Sequence, residues 1–153
     1  MDPTELARRL LEPIPANKSF GLRITHAKNG EAEVVIDAPP HLANVIGSLH
    51  SSGLIALSDA AGLAAIIATA RDEKEFDGVI PLGAAAELQF LAPARGRLVA
   101  RCNLTESDVA TVRALLDGET DKISLRTAVD VANAAGAVVC TGGFRWSVRR
   151  ATS

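Results

Sequence analysis

From residue 49 to residue 70 the chain carries one carboxylate, Asp59, and no Glu, Lys or Arg among its Leu, Ile, Ala, Gly and Ser residues. The run is too long for a strand and too apolar for a surface helix. A helix without a polar stripe must be enclosed on most sides, so the rest of the chain has to build a wrapper for it. An ionised carboxylate taken out of water costs several kcal/mol unless it is paired, hydrogen-bonded or protonated. Asp59 is therefore the first candidate for chemistry, and His50, Ser51 and Ser52 stand at the start of the same helix.

The wrapper reads as an antiparallel sheet. Two alternating segments, 20–28 and 31–37, are joined by Asn29-Gly30, a dipeptide suited to a tight hairpin because both residues tolerate positive φ. Pro39 and Pro40 end the second strand, and a loop with His41, Asn44 and Gly47 leads into the apolar helix, expected over about residues 50–70. The charged cluster Arg71-Asp72-Glu73-Lys74-Glu75 closes the buried run as a solvated turn. Alternation over 80–91, 97–104, 125–131 and 138–148 predicts further strands, with Leu98, Ala100 and Cys102, then Leu125, Thr127 and Val129, then Phe144, Trp146 and Val148 pointing inward. Helical spacing at Val109, Val112, Leu115 and Leu116 predicts an inserted surface helix over 107–116, capped by Ser107 or Asp108. A short helix ended by Pro13 and Pro15 occupies the segment before residue 18. The expected architecture is α+β: an antiparallel sheet of about five or six strands around one long helix, as a single domain over residues 1–153.

Composition removes several classes of function. A net charge of −2 gives no electrostatic case for nucleic acid. Asp59, the small residues around it and the absence of flanking aromatic anchors argue against a membrane span. His26 and His41 lack metal-ligand spacing, so no metal site is expected. Cys102 and Cys140 fall within strands and read as packing residues, and the opening Met1-Asp2-Pro3 is not a signal peptide, which points to the cytoplasm.

The segment Asn44-Val45-Ile46-Gly47-Ser48-Leu49-His50-Ser51-Ser52, followed by Asp59, resembles the signature of hotdog-fold acyl-CoA thioesterases of the phenylacetate-pathway type. That signature has an Asn, a Gly three residues on, a His-Gly-Gly, and an acid nine residues after the His. Leu88-Gln89-Phe90-Leu91-Ala92-Pro93-Ala94 is similar to the strand of that family that ends in Pro-Ala, and the likeness runs from about residue 20 to 148. Two departures stand out. Ser51-Ser52 replaces Gly-Gly, and Gly83-Ala84 occupies the neighbourhood where several members carry a Ser or Thr that holds the attacking water.

The resemblance implies hydrolysis of an acyl-CoA or acyl-carrier thioester with no metal or redox cofactor, coenzyme A entering only as part of the substrate. In that reading Asp59 is the base or nucleophile, His50 positions the loop, and the N–H groups near Ser51, Ser52 and Gly53 form an oxyanion hole. Asn44 adds a hydrogen bond beside Gly47, and Leu54, Gly62 and Ala84 with Gly83 set an acyl channel between helix and sheet. Arg95 and Arg149 are candidates to meet phosphates. Eight helical steps from Ser51 to Asp59 span about 12 Å, whereas an attacking group must lie about 3–3.5 Å from the carbonyl. One chain cannot close that gap, so a homodimer with antiparallel helices across a two-fold axis is expected, and the resemblance extends this to tetramers. The alternative is a hotdog domain that binds acyl-CoA, or serves in assembly, without turnover.

Overall fold

The computed structural model describes residues 1–151. Six strands form one antiparallel sheet in the order β1-β2-β4-β5-β6-β3: β1 (Arg23–Lys28), β2 (Glu31–Asp37), β3 (Val79–Phe90), β4 (Arg97–Asn103), β5 (Lys122–Ala132) and β6 (Val138–Arg150). The sheet curls around α3 (Ser51–Ile67), as the apolar run requires. Small residues let the two approach closely: Ala60, Ala61, Ala64 and Ala65 of α3 meet Val34, Ile36, Leu98 and Ala100 in the core. The inward sets of β4, β5 and β6 are buried as their alternation predicts. No helix among the described residues is long and apolar enough to cross a membrane.

The structure departs from the sequence reading in four places. A second short helix, α2 (Pro15–Phe20), follows α1 (Pro3–Leu11) and ends at Gly21 with φ 69°, so β1 starts at Arg23 and not at residue 20. Pro15 begins that helix at its first turn, where a missing N–H costs nothing. The inserted helix, α4 (Glu106–Leu116), is capped by Thr105, whose hydroxyl accepts from the Asp108 N–H at 3.1 Å while the Asp108 carboxylate accepts from the Thr105 N–H at 3.2 Å. It is more than a surface helix: Val112 and Leu115 are fully buried against Ile66 of α3 and the Phe144, Trp146 and Val148 side of the sheet. The charge cluster after α3 is likewise not wholly solvated. Glu75 makes a two-pronged pair with Arg113 of α4 at 2.8 and 2.9 Å, and the same guanidinium reaches Asp117 at 2.6 Å and the Thr69 carbonyl at 3.2 Å. This network fastens α4 over the end of α3.

The two edges of the sheet are finished differently. Along β1, one face of α1 supplies side chains to the free backbone groups: Thr4 Oγ1 donates to the Ala27 carbonyl at 3.1 Å and accepts from the Ala27 N–H at 3.0 Å. Arg8 Nε donates to the Ile24 carbonyl at 2.8 Å, and Glu12 accepts from the Ile24 N–H at 3.3 Å. Residues 4, 8 and 12 recur every four positions, the spacing that stacks side chains along one helix face. At the other edge β3 pairs only with β6, and nothing among the described residues lies along its outer side. Residues of β3 are exposed on both faces, including Leu82 and Phe90 at about half their area. Of the alternating Ala86, Leu88 and Phe90, Leu88 alone is partly buried against this chain's core, while Ala86 and Phe90 stay exposed.

Candidate functional site

The loop that delivers the chain to α3 is built on Asn44. Its Oδ1 accepts the backbone N–H of Ile46 at 3.1 Å and of Ser48 at 3.0 Å, and its Nδ2 donates to Ser48 Oγ at 2.7 Å. This is the Asx turn that Asn favours, and it commits most of the amide to the loop's own shape. Gly47 takes the left-handed conformation, φ 78°, that closes the turn. Both residues thus shape the loop. The loop is tied down by Leu49 N–H to the Ala94 carbonyl at 2.7 Å and His50 N–H to the Leu42 carbonyl at 2.8 Å.

His50 is the N-cap of α3. Its Nδ1 accepts the Ser52 N–H at 3.1 Å, with Ser52 Oγ 2.8 Å from the same nitrogen, and its carbonyl accepts the Gly53 N–H at 2.8 Å. Two of the three amides expected to form an oxyanion hole are therefore occupied. The Ser51 N–H, first in the helix, has no acceptor among the described residues. Gly53 is a glycine for packing reasons: a Cβ there would stand 2.7 Å from Leu49 Cγ. Gly62 is constrained in the same way, its missing Cβ leaving room for the buried hydrogen bond from Trp146 Nε1 to Thr127 Oγ1 at 2.9 Å. That tight contact leaves no acyl channel at Gly62.

A cleft of about 320 Å³ opens between the start of α3 and the turn after β3. Asn44, Ser51 and Leu54 line it from the loop and helix, and Phe90 to Ala94 line it from the other side. Arg95 borders it, donating to the Ile46 carbonyl at 3.0 Å and lying over Gly47. The Phe90 to Ala94 wall belongs to the Pro-Ala segment quoted for its resemblance but not counted among the site residues. Arg149 does not join this cluster. It stands opposite Ile80 at the far end of β3, ten residues or about 33 Å along the strand from Phe90. Gly83 and Ala84 are also apart from it, in the middle of β3. Gly83 faces inward above the stacked rings of Phe144 and Trp146, whose centroids are 5.3 Å apart, and Ala84 is the extra residue of a bulge in the β3–β6 pairing. The ring floor beneath Gly83 was not foreseen from the low aromatic content.

Asp59 does not line the cleft. It lies two helical turns further on, in the only stripe of α3 that the sheet leaves uncovered: Ser51, Ser52, Ile55, Ala56, Asp59 and Leu63. The helix thus has an exposed side in a single chain, with Ile55 at 40% of its free area. Asp59 is mostly withdrawn from water, and burial alone pushes its carboxyl up from 3.8 to about 6, with no hydrogen-bond or ionic partner contributing. A carboxylate of that pKa is a usable general base near neutrality. Cys102 is no rival nucleophile, since burial pushes its thiol up to about 12.

The chain resembles solved structures along nearly its whole length. A Pseudomonas aeruginosa protein of unknown function, described as a probable thioesterase, superposes with a TM-score of 0.77 at 24% identity, covering 97% of this chain and 96% of the other. A thioesterase from Haemophilus influenzae superposes with a TM-score of 0.69 at 17% identity, covering 94% and 89%. At these identities the likeness is one of fold, and it establishes the hotdog architecture. No protein of curated function matches the chain. A single family model spans residues 6–148, so the chain belongs to the family described as a domain of unknown function, DUF4442.

Proposed function

We propose that the protein hydrolyses an acyl thioester at two equivalent sites formed across a two-fold homodimer. The observation that carries this is Asp59: a mostly buried, unpaired carboxylate with its pKa near 6, on the one side of α3 that its own sheet leaves bare. Three surfaces favour a second copy as the missing wall. They are the unguarded edge of β3, the exposed Ala86 and Phe90 of its inward face, and the Ile55–Asp59 stripe. The closed β1 edge leaves β3 as the side on which the sheet can grow. Pairing β3 with its own copy continues the sheet across the two-fold axis.

In this dimer Asp59 of one protomer serves the helix start of the other. The free Ser51 N–H, with the positive end of the α3 dipole behind it, polarises the thioester carbonyl. Asp59 takes a proton from water as the water oxygen adds to the carbonyl carbon. The tetrahedral intermediate collapses with loss of the C–S bond, and the departing thiolate takes the proton from the Asp59 carboxyl, which returns to its ionised form. His50 holds the helix start in register, Leu54 and the Phe90 to Ala94 wall receive the acyl portion, and Arg95 stands at the rim for an anionic group. The chemistry uses a carboxylate, an amide and water, without a metal or redox cofactor.

Release of free thiol over a panel of aliphatic acyl-CoAs tests the reading, with Asp59→Asn and Asp59→Ala beside the parent. Both variants should lose at least about 100-fold in kcat/KM, the scale of a positioned base. Full activity in a folded Asp59→Ala dimer overturns the assignment. Absence of turnover in the parent, together with thermal shifts on adding acyl-CoA, favours a thioester-binding domain, a reading consistent with Gly83 where a hydroxyl would hold water.

A further inference from the structure

The sheet face turned away from α3 carries a block of positive charge that the thioesterase reading leaves unused. Lys122, Ser124 and Arg126 of β5 alternate with buried Ile123, Leu125 and Thr127, and so point outward. On β6 the same holds for Arg145, Ser147 and Arg149 between Phe144, Trp146 and Val148. Register sets them opposite one another as three rungs: Lys122 with Arg149, Ser124 with Ser147, and Arg126 with Arg145. Like charges directly opposite across a sheet are destabilising, and here two such rungs stand about 13 Å apart along the strands.

Elsewhere on the same face two of the cations have acid partners. Arg101 pairs with Glu33 at 3.0 Å and Arg23 with Asp37 at 2.6 Å. Among the described residues none of Lys122, Arg126, Arg145 and Arg149 makes an ion pair, although Glu87 lies nearby opposite Gly143. Gly143 leaves room for the Arg126 guanidinium to lie across β6, within 3.3 Å of where a Cβ would stand. Between the two cation rungs, Ser147 Oγ is shut from solvent with no hydrogen-bond partner. A chain with a net charge of −2 has thus gathered four unmatched cations and an unsatisfied hydroxyl on one open face.

We propose that this face docks an acidic helix of a carrier protein that presents the acyl group on its flexible arm. The carrier part of this proposal rests on the thioester reading. A second copy of the chain is a poor occupant, because the same four cations would face it. Within one chain the block stands well along β3 from Phe90, about 17 Å at Arg145 opposite Ala85 and about 33 Å at Arg149 opposite Ile80. An octanoyl-CoA rate that falls together with the carrier rate would put coenzyme A on this face and overturn the proposal. A helix offers carboxylates about 5–6 Å apart at three- and four-residue spacing, and two further turns carry them across both cation rungs. If β3 pairs antiparallel with its own copy, the Ile80 end of one strand lies beside the Phe90 end of the other. The block then sits two to three strands, about 10 to 14 Å, from the strand that borders the other protomer's cleft.

The test uses the full-length protein and a purified octanoyl acyl carrier protein, comparing the parent with a Lys122→Glu/Arg126→Glu variant and a milder Lys122→Gln/Arg126→Gln variant. Binding is followed by calorimetry at about 50 mM and about 500 mM salt, and hydrolysis is measured on octanoyl carrier and on octanoyl-CoA. The charge reversal should weaken carrier binding at least about 10-fold, the neutral variant should fall between, and high salt should weaken the parent. Octanoyl-CoA hydrolysis should stay at the parent rate. Equal carrier binding by parent and variants, or none at low salt, overturns the proposal, as does binding of RNA or anionic vesicles in its place. If neither thioester is cleaved while carrier binding still depends on Lys122 and Arg126, docking stands and the thioesterase reading falls.

Discussion

Arg8 Nε donates to the carbonyl of Ile24 at 2.8 Å, so a helix side chain occupies a backbone site that a neighbouring strand would otherwise take. With Thr4 and Glu12 it blocks the outer side of β1. Exposed strand edges template pairing with other chains unless something covers them. A Thr4→Ala/Arg8→Ala/Glu12→Ala variant should therefore lose defined assembly. Sedimentation velocity should show species larger than those of the parent, growing with concentration, and a lower thermal midpoint from lost hydrogen bonds worth about 1 kcal/mol each. An unchanged size distribution would mean that α1 has no guarding role.

The His50 cap separates a structural contribution from a chemical one. His50→Ala removes the acceptor for the Ser52 N–H and should cost about 1 kcal/mol, while His50→Asn, a good N-cap, should restore stability. Parent-level turnover in His50→Asn confines the imidazole to positioning. Restored stability with activity still lost would instead give the ring a direct part in the reaction.

The fold was legible because its strongest signals are periodic and long: the apolar run of α3, the Asn29-Gly30 hairpin and the alternation in β4, β5 and β6 all match the structure. At β3 alternation gave the inward face but not its burial: Leu88 packs on the core while Ala86 and Phe90 of the same face stay exposed at the sheet edge. At the site the motif located Asn44, Ser51 and Leu54 at one cleft. It did not reveal that Asn44 and His50 spend their polar atoms on the backbone, because such bonds depend on loop geometry. Arg149 stands away from the cleft of its own chain, opposite Ile80, because spacing along a chain carries no information on which end of a sheet a strand finishes. The pair of Arg113 and Glu75 joins residues 38 apart and had no local signal.

That pair makes a pH-dependent contribution with a definite sign. Its hydrogen bonds to Arg113 draw the Glu75 carboxyl down from 4.5 to about 2. A depressed carboxyl contributes stability above the unfolded value of 4.5, and the contribution is lost as pH falls from there through about 2. Urea midpoints of the parent should drop over that window, and Glu75→Gln should show a shallower drop. Arg113→Ala strands Glu75 and the Thr69 carbonyl in a mostly buried setting, and should cost about 3 kcal/mol at neutral pH. A loss below about 0.5 kcal/mol would mark the network as a surface pair.

Asp59 runs in the opposite direction. Its carboxyl is raised from 3.8 to about 6, so the folded chain holds the proton more tightly than the unfolded one. Stability therefore falls as pH rises from 3.8 to about 6 and stays at the lower level above it, the penalty amounting to at most about 3 kcal/mol. Asp59→Asn has no charge to bury and should be more stable than the parent at pH 7.5 and equal to it below pH 4. Activity should show the other side of the same titration. In the parent, kcat/KM should climb with pH through an apparent pKa near 6 and then level off, because only the ionised carboxylate accepts the proton from water. Stability by urea titration and kcat/KM, measured at the same pH values, should therefore mirror one another, and Asp59→Asn should flatten both curves. A parent whose stability is indifferent to pH between 4 and 7 would remove the buried charge on which this linkage depends.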